Sequence, residues 1–292
     1  MSFVKRVYRR IRTTPSEIRF KIHRKIINSK LYIRRKENRE YARFLNAFKE
    51  GYASDFTLSP NSECLYRQTY YNDRNRQLVQ MCKDNDVEGI SDWYAEDDSD
   101  KMYFDEYFEN RMSMRVIARH ILETAKQNAR ILDVACGHGS IDRELAKAGF
   151  TVKGIDLNPN RVNELKPYIF DAECTDVDNM VGENSYDILI ALEMLEHVPD
   201  VKRTLKKMWT LLAPGGLLYL SVPNEYKIDH EQHVRLFDKD SMICLLQGGG
   251  FRILSVIPLA YLNHENENDL VCVCKKDASD DQKNTFPLQA DS

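Results

Sequence analysis

The segment Ile131-Leu-Asp-Val-Ala-Cys-Gly-His-Gly-Ser-Ile-Asp142 constrains the fold more than any other part of the chain. A short apolar run reads as a buried strand and leads through a glycine turn into a helix. Gly137 and Gly139 let the backbone approach a ligand with no Cβ in the way. A GxG turn alone suits many nucleotide binders. This one lacks the third glycine of a dinucleotide fingerprint and the Lys-Ser/Thr of a phosphate loop. What sharpens it is the next strand, Val152-Lys-Gly-Ile-Asp156, which ends in an acid 17 residues after Gly139. A carboxylate there is placed to accept from a ribose diol.

The same rhythm continues downstream. Strands are predicted over 130–134, 151–156, 168–174, 186–192, 216–222, 251–257 and 270–274. Helices are predicted over 140–148, 160–165, 201–212 and 239–247. Short β-branched runs alternating with helices imply an α/β, doubly wound, mostly parallel seven-stranded sheet. The last two strands have no helix between them, which implies an antiparallel hairpin at one sheet edge. Cys272 and Cys274 fall on one face of the last strand and read as small apolar core residues.

The flanks differ in charge. Residues 1–50 hold 16 Lys+Arg against 4 Asp+Glu, while the other 242 residues hold 26 against 41. In the arm, Val4, Val7 and Ile11, then Ile18, Ile22 and Ile26, fall at helical spacing between basic residues. The arm is thus a basic, amphipathic α-helical extension. It suits an anionic membrane surface or a polyanion, or else forms a solvated helix face. The chain divides into the arm and linker at 1–62, a helical lead-in at 63–129, a ligand-binding domain at 130–275 and a disordered tail at 276–292. Helices are expected over 63–92 and 111–125, on either side of a stretch rich in aromatic and acidic residues. No run approaches ~20 apolar residues, and the first residues carry no apolar signal region. The seven cysteines are odd in number and form no CxxC pair. That argues against a disulfide framework or a structural zinc site and for the cytoplasm, peripheral to the membrane if the arm binds it.

The ordered motifs resemble the class I S-adenosylmethionine-dependent methyltransferases, with a Rossmann-like fold, over about residues 103–275. Their first motif is matched by Asp133-Val-Ala-Cys-Gly-His-Gly139, their second by Asp156, and their third by Asp176 with Val177. Ser185–Glu193 matches their fourth strand and Leu212–Leu218 the turn before the fifth. The resemblance implies S-adenosylmethionine bound by Asp133, Ala135, Gly137, Gly139, Asp156, Leu157, Asp176, Val177 and Leu192. Ala135 departs from the glycine that many members carry. In the ubiquinone-pathway O-methyltransferases an arginine before the first strand contacts the cofactor carboxylate; Arg115 matches it, with Arg111 as the fallback.

The acceptor site is sought in Glu193-Met-Leu-Glu-His197, after the fourth strand. In a helical turn Glu193, Glu196 and His197 would share one face at the C-terminal sheet edge. Two carboxylates and an imidazole make a half-site for a divalent metal. Asp229-His-Glu-Gln-His233 offers a further ligand. The pattern is similar to that of the ubiquinone-pathway O-methyltransferases and the small-RNA 3′-terminal 2′-O-methyltransferases. In both, the resemblance implies a magnesium-type ion, Mg2+ or Mn2+, bridging acceptor hydroxyls. The ligands carried over are Glu193, Glu196, His197 and His233, with His230 as the alternative to His233. A metal-free reading stands beside it: Glu196 caps the next helix, and His197 or His233 acts as a general base or packs as a polar residue.

The function expected is O-methylation of a hydroxyl-bearing acceptor, with Glu196, His197 and His233 as the catalytic set. A sugar in surface polysaccharide or glycolipid biosynthesis comes first. A catechol-type ubiquinone precursor comes second and RNA third, because the body is acidic and nucleic acid favours a basic face. A non-catalytic cofactor-binding module is the reading from another class.

Overall fold

The computed structural model describes residues 30–50, 75–96, 111–224, 232–260 and 268–277. Expectations for the remainder lie outside the described residues. Those include the first half of the basic arm, residues 63–74 of the lead-in, His230 and the last 15 residues.

Strands β1 (Arg130–Val134), β2 (Thr151–Asp156), β3 (Asp171–Cys174), β4 (Tyr186–Leu192), β5 (Leu212–Pro223), β6 (Arg252–Ala260) and β7 (Asn268–Lys275) form one sheet. Its order is β3-β2-β1-β4-β5-β7-β6. The first five strands pair in parallel, and β7 runs antiparallel to both β5 and β6. The expected α/β fold and edge hairpin are therefore present, with β7 inserted inside β6. β3 is shorter than predicted, because Tyr168 and Phe170 are exposed rather than paired.

Side chains alternate between two cores. Leu132, Val134, Leu189, Ala191, Leu218, Leu220, Cys272 and Cys274 face helices α7 (Val201–Leu211) and α8 (Lys239–Gly248). Ile131, Ile188, Ile190, Tyr219, Val271 and Val273 face α4 (Met112–Thr124) and α5 (Ser140–Lys147). Burial of both faces accounts for the nearly continuous apolar runs in β1 and β4. Asn158 caps α6 (Pro159–Leu165) by accepting from the Asn160 and Arg161 amides, and Asp238 with Ser241 closes a capping box on α8.

The second half of the basic arm is α1 (Lys30–Glu50), and it packs on the second core. Phe44 is fully buried with its ring edge-on to His120 at 5.1 Å. Tyr41 donates to Glu123 at 2.6 Å, and Arg115 pairs with Glu37 at 3.0 Å. Residues 30–50 are thus a docked helix, not a free arm, because their apolar face completes a core.

The lead-in helix expected through 92 breaks at Asp84–Asp86, where Asn85 adopts φ 54°. It becomes α2 (Arg76–Lys83) and α3 (Val87–Glu96). At the other end Lys276 is buried and donates to Asn184 and the Trp209 carbonyl, so the ordered body reaches past 275. Cys82, Cys136, Cys174, Cys272 and Cys274 carry free thiols, while Cys244 is disulfide-bonded. No helix among the described residues is long and apolar enough to cross a membrane.

Candidate active site

The glycine turn and the end of β2 close on each other. The Asp156 carboxylate accepts from the Gly137 amide and from the Asn158 amide, each at 2.8 Å. It therefore ties the turns after β1 and β2 together while standing at the sheet edge. Ala135, Gly137 and Gly139 all take positive φ, at 58°, 54° and 72°. A left-handed residue other than glycine costs roughly 1–2 kcal/mol, and Ala135 bears that cost. The two glycines differ. A Cβ on Gly137 would enter open space, whereas one on Gly139 would meet the Leu165 side chain of α6, which would have to shift.

Asp133 lies buried behind this turn, against Asp142 of α5. Burial, then the Asp142 charge, pushes Asp133 well above the usual carboxylate range, and burial lifts Asp142 to about 7. Asp176 caps the 3-10 turn Val177–Asn179 through the Asp178 amide at 2.8 Å, and Val177 is buried in the core. The Leu157 carbonyl accepts from Cys174 Sγ at 3.3 Å, and Leu192 closes β4. Arg115 is ion-paired to Glu37, and the fallback Arg111 bridges Glu193 and Asp269.

The predicted helical turn at 193–197 is not formed. Glu193 takes φ 55°, and only Leu195–His197 coil, as a 3-10 turn. The shared face of Glu193, Glu196 and His197 is therefore not realised. Glu193 accepts instead from Arg111 and from Ser221 Oγ at 2.7 Å, and Asp269 accepts from Arg111 and Ser113. Burial, opposed by Arg111, lifts Glu193 to about 7.

Glu196, His197 and His233 do come together, with one potential ligand atom from each within 4.8 Å of the others. His197 and His233 stand edge to face, 5.0 Å apart. Glu196 is 1 % exposed, and neither carboxyl oxygen has a hydrogen-bond partner among the described residues. Burial, then the Glu193 charge, pushes it well above the carboxylate range. A buried carboxylate without partners is costly. Here Glu193 and Asp269, two further buried carboxyls, take the Arg111 guanidinium, and Glu196 is left beside the two imidazoles. That set fits a divalent cation: it supplies an unpaired oxygen donor and two imidazoles where positive charge is short.

The tautomer of His197 fits as well. Its Nδ1 lies 3.0 Å from the Gln232 carbonyl, which can only accept, so Nδ1 carries the proton. Nε2 keeps its lone pair and faces Glu196 Oε1 at 3.8 Å. Backbone ties hold the two ligand segments in place: the Val234 amide donates to the Glu196 carbonyl at 2.9 Å, and Arg235 Nε to the Val198 carbonyl at 2.8 Å. Tyr94 and Asp269 were not singled out as site residues from the sequence, because no spacing links them to residue 197.

A family profile described as a methyltransferase domain matches residues 104–256, just over half of the chain. The chain belongs to that family. It is a class I S-adenosylmethionine-dependent methyltransferase, and its relatives include the ubiquinone-pathway enzymes whose motifs it resembles. The ubiquinone biosynthesis O-methyltransferase of Coxiella burnetii is 27 % identical over 186 residues, covering 55 % of this chain and 78 % of that protein. The Xanthomonas campestris pv. campestris protein of the same name is 37 % identical over 108 residues, 34 % of this chain and 45 % of its own. Among solved structures, a Haloferax volcanii methyltransferase in complex with its activator Trm112 is similar at TM-score 0.52 and 17 % identity. That match covers 64 % of this chain and 96 % of the other. The cyclase SpnF is similar at TM-score 0.50 and 15 % identity, covering 56 % of this chain and 80 % of its own. A methyltransferase and a cyclase on one architecture show that these likenesses carry the fold and not the reaction.

Proposed function

We propose that this methyltransferase transfers the methyl group of S-adenosylmethionine to a hydroxyl of an acceptor bearing adjacent hydroxyls, at the Glu196–His197–His233 cluster. One observation carries the reading: a fully buried glutamate with both oxygens unpaired among the described residues, beside two imidazoles. In the transfer an O–C bond forms and the C–S bond breaks. The sulfur keeps the electron pair and the sulfonium charge is quenched. With no ion bound, the hydroxyl proton leaves to His197 or His233, the imidazoles at hand; with both imidazoles on an ion, it leaves to solvent. A divalent ion such as Mg2+ or Mn2+, held by Glu196, His197 and His233, would lower the hydroxyl pKa and fix two adjacent oxygens. Glu193 serves that set from behind, through Arg111.

On the cofactor side, Asp156 would receive the ribose hydroxyls and Gly137 would give the ligand room. Asp133, Ala135, Gly139, Leu157, Asp176, Val177 and Leu192 frame the same sheet edge. Residues 130–275, with α1 docked on them, would form the cofactor-binding body and 63–129 its cover, while exposed basic residues of the arm such as Arg34, Arg35 and Arg39 would meet an anionic surface on the cytoplasmic side.

The basic arm favours a sugar of a surface glycan or glycolipid as acceptor. The names of the relatives favour a catechol as the second reading. The test is methyl transfer to a sugar diol and to a catechol, before and after chelation and with the ion restored. Transfer that stops on chelation and returns with Mg2+ or Mn2+ supports the reading. Full turnover in excess chelator removes the ion and leaves a histidine base.

A further inference from the structure

We propose that Tyr94, on the lead-in helix α3, is a positioning residue for the two histidines. This rests on the function proposed above only for what the histidines hold. The Tyr94 hydroxyl donates to the Gln232 carbonyl at 2.9 Å and lies 3.3 Å from His197 Nδ1. The same carbonyl receives His197 Nδ1 at 3.0 Å. One hydroxyl therefore fixes the acceptor that sets the His197 tautomer, and that acceptor belongs to the residue immediately before His233. With its hydrogen given to Gln232, the Tyr94 oxygen also presents a lone pair toward Nδ1.

The ring adds a second constraint. It meets the His197 imidazole edge-on at 5.5 Å and is itself backed edge-on by Trp93 at 5.0 Å. Leu78, Val79 and Cys82 of α2 and Ile90 of α3 pack with Val234, the residue after His233, in a small core of their own, against which Trp93 and Tyr94 also rest. So residues 232–234 are held to the lead-in by a hydrogen bond on one side and apolar packing on the other. An imidazole ligand is oriented by what its far nitrogen donates to, and loss of such a partner typically weakens metal binding 10–100-fold. In this chain that partner is steered by a residue about 100 positions upstream. The lead-in is thereby part of the acceptor site and not only its cover.

The experiment uses full-length Tyr94→Phe, which keeps the ring and removes the hydroxyl. The His197 ring nitrogens are read by 15N NMR at a pH where imidazoles are neutral. Mn2+ and S-adenosylhomocysteine affinities are measured on the same samples. The wild type should show His197 protonated at Nδ1, and the variant a mixture of tautomers. Mn2+ affinity should fall about tenfold while S-adenosylhomocysteine affinity stays within about twofold, which also shows that the variant is folded. An unchanged tautomer in the variant overturns the positioning role, whatever Mn2+ does. Absence of stoichiometric Mn2+ binding in the wild type overturns the metal reading alone, because the tautomer still judges Tyr94.

Discussion

Asp156 ties two turns together and, in the function proposed, also receives the ribose. Its carboxylate holds the Gly137 and Asn158 amides, and the ribose would add hydroxyl donors to the same oxygens. Asp156→Ala should weaken S-adenosylhomocysteine binding by about 1.5–3 kcal/mol, roughly tenfold to a hundredfold. Calorimetry checks this, and unchanged affinity would place the ribose elsewhere. Asp156 was legible in the sequence because its signal is local: an acid at a fixed distance behind a glycine turn. The packing around Gly139 was not, because its neighbour Leu165 comes from a helix beyond β2. Glu196 and His197 were legible as neighbours of the fourth strand. The diversion of Glu193 was not, since its partners Arg111, Ser221 and Asp269 come from three separate parts of the chain.

At the level of elements, the buried strands were legible and the basic arm was misleading. β1, β2 and β4 are bounded where their apolar runs end. The period of α1 was also visible, but charge density made it look solvated. In the fold Arg34, Arg35, Arg39 and Arg43 ride on the outside, Lys36 is buried, and Tyr41 and Phe44 seal the core beside His120. Phe44→Ala should therefore cost about 3–5 kcal/mol, the usual loss for a buried aromatic ring. An exposed control, Arg39→Ala, should stay within about 0.5 kcal/mol. Urea denaturation of the two variants decides it. A shift in Phe44→Ala no larger than in the control would mean that α1 does not contribute to the core in solution.

At the scale of the molecule, the functional edge of the sheet concentrates buried acid. Asp133 and Asp142 stand behind the glycine turn, Glu196 lies in the cluster with His197 and His233, and Glu193 and Asp269 pair with Arg111. Asp142, lifted by burial to about 7 in the folded protein, titrates near 3.9 when unfolded. The folded state then binds more protons between those values. Its contribution is present below the unfolded value and is lost as pH rises toward and through 7. Without cofactor, wild-type stability should fall between pH 5 and pH 8 by on the order of 2 kcal/mol relative to Asp142→Asn. Parallel urea midpoints for the two proteins across that range would contradict it. The central claim concerns the other cluster, and direct ion binding tests it. Mn2+ titration of the wild type and of Glu196→Gln, with S-adenosylhomocysteine affinity as the control, should give one ion per wild-type chain. The variant should bind it at least about tenfold more weakly, with nucleoside affinity within about twofold. No stoichiometric ion in the wild type, or equal affinity in the variant, would contradict the assignment of Glu196, His197 and His233 as its ligands.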